Sequence, residues 1–179
     1  MPNAGVLDRF DQFAVLSCAF TASAGAFVKT RLETGITTLQ KIAWVVSRIE
    51  YEVSPGVLSY IIDALDHVDW IITASASELE AVNFTSPSIY DKMGFVTRVV
   101  SAAALTFREC RPTVFVKQFP PGHEMLMLPQ CLYLGLSWVT AAALATTKYV
   151  RARVWYKELE LGPADWYDLL QLRLPLGTT

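Results

Sequence analysis

Charge is scarce in this chain. Lys, Arg, Asp and Glu make up 18% of 179 residues, where a soluble domain usually carries about 25%. Fifteen bases against seventeen acids leave a net charge of −2, too weak a field to steer nucleic acid to the molecule as a whole. Only two histidines are present, His67 and His123. The three cysteines, Cys18, Cys110 and Cys131, are odd in number and widely spaced. That excludes a zinc-type pair and points to buried free thiols in a reducing compartment. A glycine-rich phosphate loop, GxSxG and HExxH are all missing, and with them the usual marks of nucleotide, acyl-transfer and zinc-protease chemistry. The opening MPNAGVLDRFDQF has no basic leader and holds Asp8 and Asp11, so no secretion signal is expected. The NFT sequon at Asn83 carries little weight on the same ground. With no internal repeat, low-complexity tract or linker-like stretch, one domain over 1–179 is expected.

Apolar residues are abundant instead. They make up 53% of the chain and give a mean hydropathy of +0.33, against a usual apolar content of about 45–50%. The surplus must be covered by lipid or by partner subunits. The run MLMLPQCLYLGLSWVTAAALATT at 125–147 holds no charge between Glu124 and Lys148, and a helix of that length spans a bilayer. Two features oppose that reading. Pro129 and Gln130 sit near one end, and the other end, TAAALATT, is small and polar, where lipid-facing helices favour Leu, Ile, Phe and Val.

The next segment, KYVRARVWYKELEL at 148–161, sets Val150, Ala152, Val154 and Tyr156 against Tyr149, Arg151, Arg153, Trp155 and Lys157. Strict period-two alternation marks a strand with one buried face. Its antiparallel partner is expected in CLYLGLSWV at 131–139, which makes the uncharged run sheet. A membrane protein with a span at 125–147, and a second at 12–28, is the alternative.

Further strands are expected at 12–20, 26–32, 41–53, 68–75, 95–107 and 111–119, with turn chemistry in SPG at 54–56 and PPG at 120–122. Helices are expected as punctuation. VLSYIIDALDH at 57–67 places Leu58, Ile61, Ile62 and Leu65 at helical spacing. SPSIYDKM at 86–93 offers Ser86 as cap and Pro87 in the first turn. GPADWYDLLQLR at 162–173 opens on Pro163, keeps Asp165 in its first turn and Arg173 in its last, and stripes Trp166, Leu169 and Leu170. The expected fold is mainly β: an antiparallel two-sheet sandwich, most simply a jelly roll, of about eight strands with two or three short helices in the connections. A closed barrel or a less regular sandwich comes next.

Catalytic patterns are thin. His67 and Asp69 in DALDHVDW share a face of an extended chain and would supply two metal ligands, but such sites usually need three, and acids at an element boundary explain them as well. His123 beside Glu124, and Glu78 with Glu80, are equally well explained as solvated loop residues. No catalytic residue, metal site or cofactor is expected, and no enzymatic activity.

The basic face of 148–161 is more specific. Arg151, Arg153 and Lys157 lie on one side of one strand with Tyr149 and Trp155 among them, a pattern that binds single-stranded nucleic acid through phosphate contact and stacking. The competing explanation is a solvated outer face whose bases pair with acids across the sheet, and the acidic total favours it.

An apolar-rich, weakly charged β domain without catalytic machinery is most simply covered by copies of itself, since an obligate homo-oligomer interface resembles a core cut in half. In its length, strand-rich plan, connecting helices and missing export and enzymatic signals, the chain resembles small single-jelly-roll viral coat proteins. The resemblance implies a subunit that self-assembles into a closed shell around a genome, in a virion built inside the host cell. Its partners would be further copies of itself, other virion proteins, and nucleic acid at Arg151, Arg153 and Lys157, with Lys29 and Arg31 as further candidates. One departure is plain: many such coats carry an arginine-rich N-terminal arm, and the first thirteen residues here hold only Arg9. A small-molecule or metal-dependent cupin-like protein using His67 and Asp69 is the rival from another class.

Overall fold

In strands, alternation puts every second side chain on one face, so one buried face needs only every second residue to be apolar. The computed structural model describes residues 11–20, 27–53, 65–75, 85–96, 100–102, 105–107, 114–140 and 148–174, and most of them obey this rule. Eleven strands follow in order: β1 (Gln12–Phe20), β2 (Phe27–Arg31), β3 (Ile42–Val53), β4 (Leu65–Thr73), β5 (Ile89–Val96), β6 (Val100–Ala102), β7 (Leu105–Phe107), β8 (Val114–Gln118), β9 (Met125–Met127), β10 (Tyr133–Thr140) and β11 (Lys148–Glu160). A helix, α1 (Pro163–Arg173), closes the described chain, and short 3-10 turns occupy Thr38–Gln40 and Pro129–Cys131.

Two antiparallel sheets form. The first runs β1-β11-β3-β8, with β9 also on β3; the second runs β2-β10-β4-β5; β6 and β7 make a separate hairpin. The pairings are nested along the chain. β1 pairs with β11, β2 with β10, β3 with β8 and β9, and β4 with β5, all antiparallel. The inward faces meet in one core, where Leu16, Ile49, Tyr51, Trp70, Ile72, Leu134, Leu136 and Val154 are buried. Each large apolar side chain buried there is worth about 1.5–3 kcal/mol. Trp44 and Tyr156 stack across β3 and β11 with ring centroids 3.8 Å apart.

β3 changes parity midway. Trp155 of β11 faces Arg48 while Tyr156 faces Val46, which leaves Ser47 as an extra residue. This β-bulge lets Trp44 and Val46 on one side of it, and Ile49 and Tyr51 on the other, all enter the core. It also divides the edge beyond. β8 pairs with Arg48–Glu52 and β9 with Trp44–Val46, and the turn between them carries Gly122 at φ 84, a left-handed conformation that glycine adopts freely. Gly135 of β10 meets the chain differently. A Cβ there would lie 2.7 Å from the Phe27 ring, so the bare backbone lets that ring lie across the strand.

Helix α1 begins at Pro163 with Asp165 in its first turn and Arg173 in its last, as its sequence predicts. Its buried Trp166 and Leu169 pack on Ala43 and Leu128, the outward side of β3, and Arg173 donates to the Pro87 carbonyl at 3.0 Å.

Four expectations are corrected. The segments 131–139 and 148–161 do not pair with each other: β10 lies between β2 and β4, β11 between β1 and β3, because each long strand buries its own apolar face in the opposite wall of the sandwich. SPSIYDKM is not a helix. Ser86 Oγ caps the turn by accepting from the Ser88 amide at 3.4 Å, and Ile89 onward becomes β5, since pairing with β4 outweighs helix-start chemistry. Of the helix expected at 57–67, Leu65, Asp66 and His67 belong to β4, and 57–64 lies outside the described residues. The strand expected at 95–107 is divided among the end of β5, β6 and β7. Among the described residues, the connections hold two 3-10 turns, Thr38–Gln40 and Pro129–Cys131, and the one α-helix follows the last strand.

Residues 125–140 are β9, a 3-10 turn and β10 rather than a spanning helix, and 12–20 is β1. Among the described residues no helix is long and apolar enough to cross a membrane.

Candidate functional site

The bulge and the register of β11 decide what its basic face meets. Arg151 stands opposite Glu52 and Arg153 opposite Glu50 on β3, with Ser17 and Val15 on the β1 side. Arg153 lies 3.3 Å from Glu50, Arg151 3.9 Å from Glu52, and Lys157 3.5 Å from Asp11. Glu50 also takes Arg48. The Arg153 guanidinium sits 5.3 Å from the Phe13 ring centroid and that of Arg48 5.8 Å from Trp155. So the three bases named from the sequence do share one neighbourhood, and each has an acid beside it. Four bases (Arg48, Arg151, Arg153, Lys157) meet three acids (Asp11, Glu50, Glu52), which leaves little field for phosphate. Exposed pairs of this kind add about 0–1 kcal/mol each. Lys29 and Arg31 lie on β2 in the other sheet, and Arg31 donates to the Gln130 carbonyl at 2.8 Å.

His67 and Asp69 fall on β4, where the His67 backbone is paired with Val96 and Val139. Asp69 is buried and held by Lys92 at 2.8 Å, so its carboxylate is already matched by a cation. His123 sits in the exposed turn before β9, its amide bonded to Pro120, far along the chain from His67. Glu78 and Glu80 lie outside the described residues. Among the described residues no group of three His, Cys, Asp or Glu side chains is placed to hold a metal.

A buried polar cluster between the two sheets escaped the sequence reading. Asp91 of β5 is buried, accepts the Tyr51 hydroxyl at 2.5 Å and meets the Lys117 ammonium. Tyr51 and Lys117 come from the first sheet and Asp91 from the second, so the cluster clasps the two together beside the edge strands β5 and β8. Burial pushes the Tyr51 hydroxyl well above the ordinary tyrosine range, and the Asp91 charge adds to it. Beside the clasp lies a cavity of about 360 Å³ lined by Asp91, Lys92, Met93, Gly94, Val116 and Lys117. The one sequence signal is the shared parity of Phe115 and Lys117. Val114 and Val116 on the other parity mask it, because both faces of β8 then read as apolar.

Cys18 is buried and Cys131 half-buried, both as free thiols. Burial raises the pKa of each, which keeps them protonated and unreactive. Cys110 lies outside the described residues. Compared with known proteins, the chain matches no protein-family model and no curated protein.

Proposed function

We propose that this chain is a shell-forming subunit: a jelly-roll coat protein that self-assembles around a genome in a virion and has no enzymatic activity. The observation that carries the reading is the nested order of strand pairing, β1 with β11, β2 with β10, β3 with β8 and β9, β4 with β5. A long antiparallel hairpin rolled once on itself produces such nesting, so the order supports a jelly-roll reading of the sandwich. With β8 and β9 taken as one interrupted strand and β6-β7 as an insertion, four strands remain in each sheet. The 53% apolar composition supports the second half of the reading, since copies of the chain then cover what a lone subunit leaves wet.

The ion pairs of β11 bear on how a genome would be held. With Arg151, Arg153 and Lys157 each beside an acid, packaging falls more naturally to other virion components or to protein contacts than to this strand. Replacing Lys157, whose partner is Asp11, by Gln should therefore leave the nucleic-acid content per subunit of purified particles within about twofold of wild type. A loss of most of that content would return the basic strand to the genome.

A second reading has one observation behind it. The cavity at the β5–β8 edge falls within the size range of small-molecule sites, as a ligand-binding sandwich protein requires. Negative-stain microscopy of the expressed protein separates the two. Closed, uniform particles support the shell, and a field of single small molecules that still bind a ligand at Asp91 and Lys117 supports the binder.

A further inference from the structure

The outer face of the β1-β11-β3-β8 sheet shows water more than polar side chains. Phe13, Val15 and Val116 on it are 55%, 43% and 51% exposed. The register arranges the face in rows that cross the sheet. Val15 stands opposite Arg153, Arg153 opposite Glu50, and Glu50 opposite Val116. In one direction the row runs apolar, base, acid, apolar. In the other it runs apolar, acid, base, apolar.

That order is self-complementary. Consider a second copy turned by a half rotation about an axis that runs along the strands between β11 and β3. Its β11 lies over β3 and its β1 over β8, with each row facing its own counterpart. Every Val of the central row then meets a Val, and every charge meets its opposite. The flanking rows follow the same rule. Arg151 is paired with Glu52 and Trp155 with Arg48 in the register, so Arg151 faces the second copy's Glu52 and Trp155 its Arg48. A cation over an indole face is attractive, and the contact already exists within one chain at 5.8 Å. Stacked sheets lie about 10 Å apart and cross at about 30°, so the match is tightest at the central row. There a depression of about 220 Å³, lined by Val15, Glu50, Glu52, Arg151 and Arg153, receives the side chains of the second copy.

We propose that this face is a homotypic docking surface, where two copies pack sheet to sheet through the Val15–Arg153–Glu50–Val116 row. The proposal rests on the self-association of the proposed function and names the face that mediates it. Its composition suits that role: aromatic and Arg side chains are enriched in interfaces, and the balance of acids and bases favours a protein partner of the same composition over a polyanion.

Charge reversal tests it, read by sedimentation velocity on the full chain. Arg153→Glu turns the row into apolar, acid, acid, apolar, and Glu50→Arg turns it into apolar, base, base, apolar. Each variant alone then opposes like charges across the contact and should weaken self-association by at least about tenfold. Mixed one to one, the two variants are complementary and should associate again. Rescue by mixing is the decisive readout, because loss of the ion pair within one chain is not repaired by adding a second protein. Val116→Asp, at an exposed position outside that ion pair, weakens the same row should either charge variant fold poorly. Wild-type particles that persist in all three variants overturn the docking face and leave the shell standing. A wild-type dimer that grows no further, broken by each variant and restored by mixing, upholds the face and overturns the shell. A wild-type chain that stays monomeric overturns both.

Discussion

Asp91 ties the two sheets together through Tyr51 and Lys117. Its buried carboxylate accepts from Tyr51 and Lys117, and a hydrogen bond to a charged group is worth about 1.5–3 kcal/mol. Tyr51→Phe keeps the ring in the core and deletes the hydroxyl, so it should cost about that much in urea unfolding. Asp91→Leu leaves the Tyr51 hydroxyl buried without its acceptor and should cost more. The clasp also sets an alkaline limit. Tyr51 is held well above its ordinary range in the folded state, so the stability of its protonated form is complete below the unfolded value, near pH 10. That stability is lost as pH rises from there through the folded value, because the unfolded chain releases its proton first. Unfolding free energy measured at stepped pH should fall above about pH 10, and fall less steeply in Tyr51→Phe. Tyr90, also pushed up by burial, keeps part of the slope. This cluster was poorly legible in the sequence. Asp91 sat in a stretch with helix-start chemistry, and Lys117 in a strand whose two faces both looked apolar. Arg151, Arg153 and Lys157, on a cleanly alternating strand, were placed on one face correctly, but their acid partners depend on register, which alternation does not set.

At the scale of elements, legibility followed the strength of the local pattern. β1, β3, β11 and α1 lie close to where alternation, or cap and dipole chemistry, puts them. β5 does not, because Ser86 and Pro87 serve a turn as well as a helix start, and pairing with β4 decided between them. The β10–β11 expectation failed for a related reason: neighbours in sequence are the cheapest partners only when no opposing sheet competes for their apolar faces. Helix α1 is held against Ala43 and Leu128 by Trp166 and Leu169, and Trp166 is the larger of the two anchors. Trp166, 2% exposed against Ala43 and Leu128, should cost about 3–5 kcal/mol on truncation to Ala. Hydrogen exchange would then show lost protection in α1 and β9 before the central strands. Gly135 makes the opposite test. Gly135→Val drives a side chain into the Phe27 ring and should destabilise by about 1–3 kcal/mol, with part of the loss relieved by Phe27→Ala.

For the whole molecule, scarce charge and surplus apolar surface are accounted for in two steps. The sandwich core takes the inward faces of both sheets, and the exposed Phe13, Val15 and Val116 lie on the outer wall where a second copy would cover them. Composition alone points to covering by copies, and the nested strand order of the two-sheet sandwich is what supports the proposal of a shell subunit. The central claim is that the chain assembles with itself. Light scattering on the eluting peak of the purified full-length protein, with its ultraviolet absorbance ratio read on the same peak, tests that claim most directly. The account predicts a megadalton species whose absorbance carries a nucleic-acid contribution. A peak at the mass of one chain, across the full concentration range and with pure protein absorbance, would contradict it.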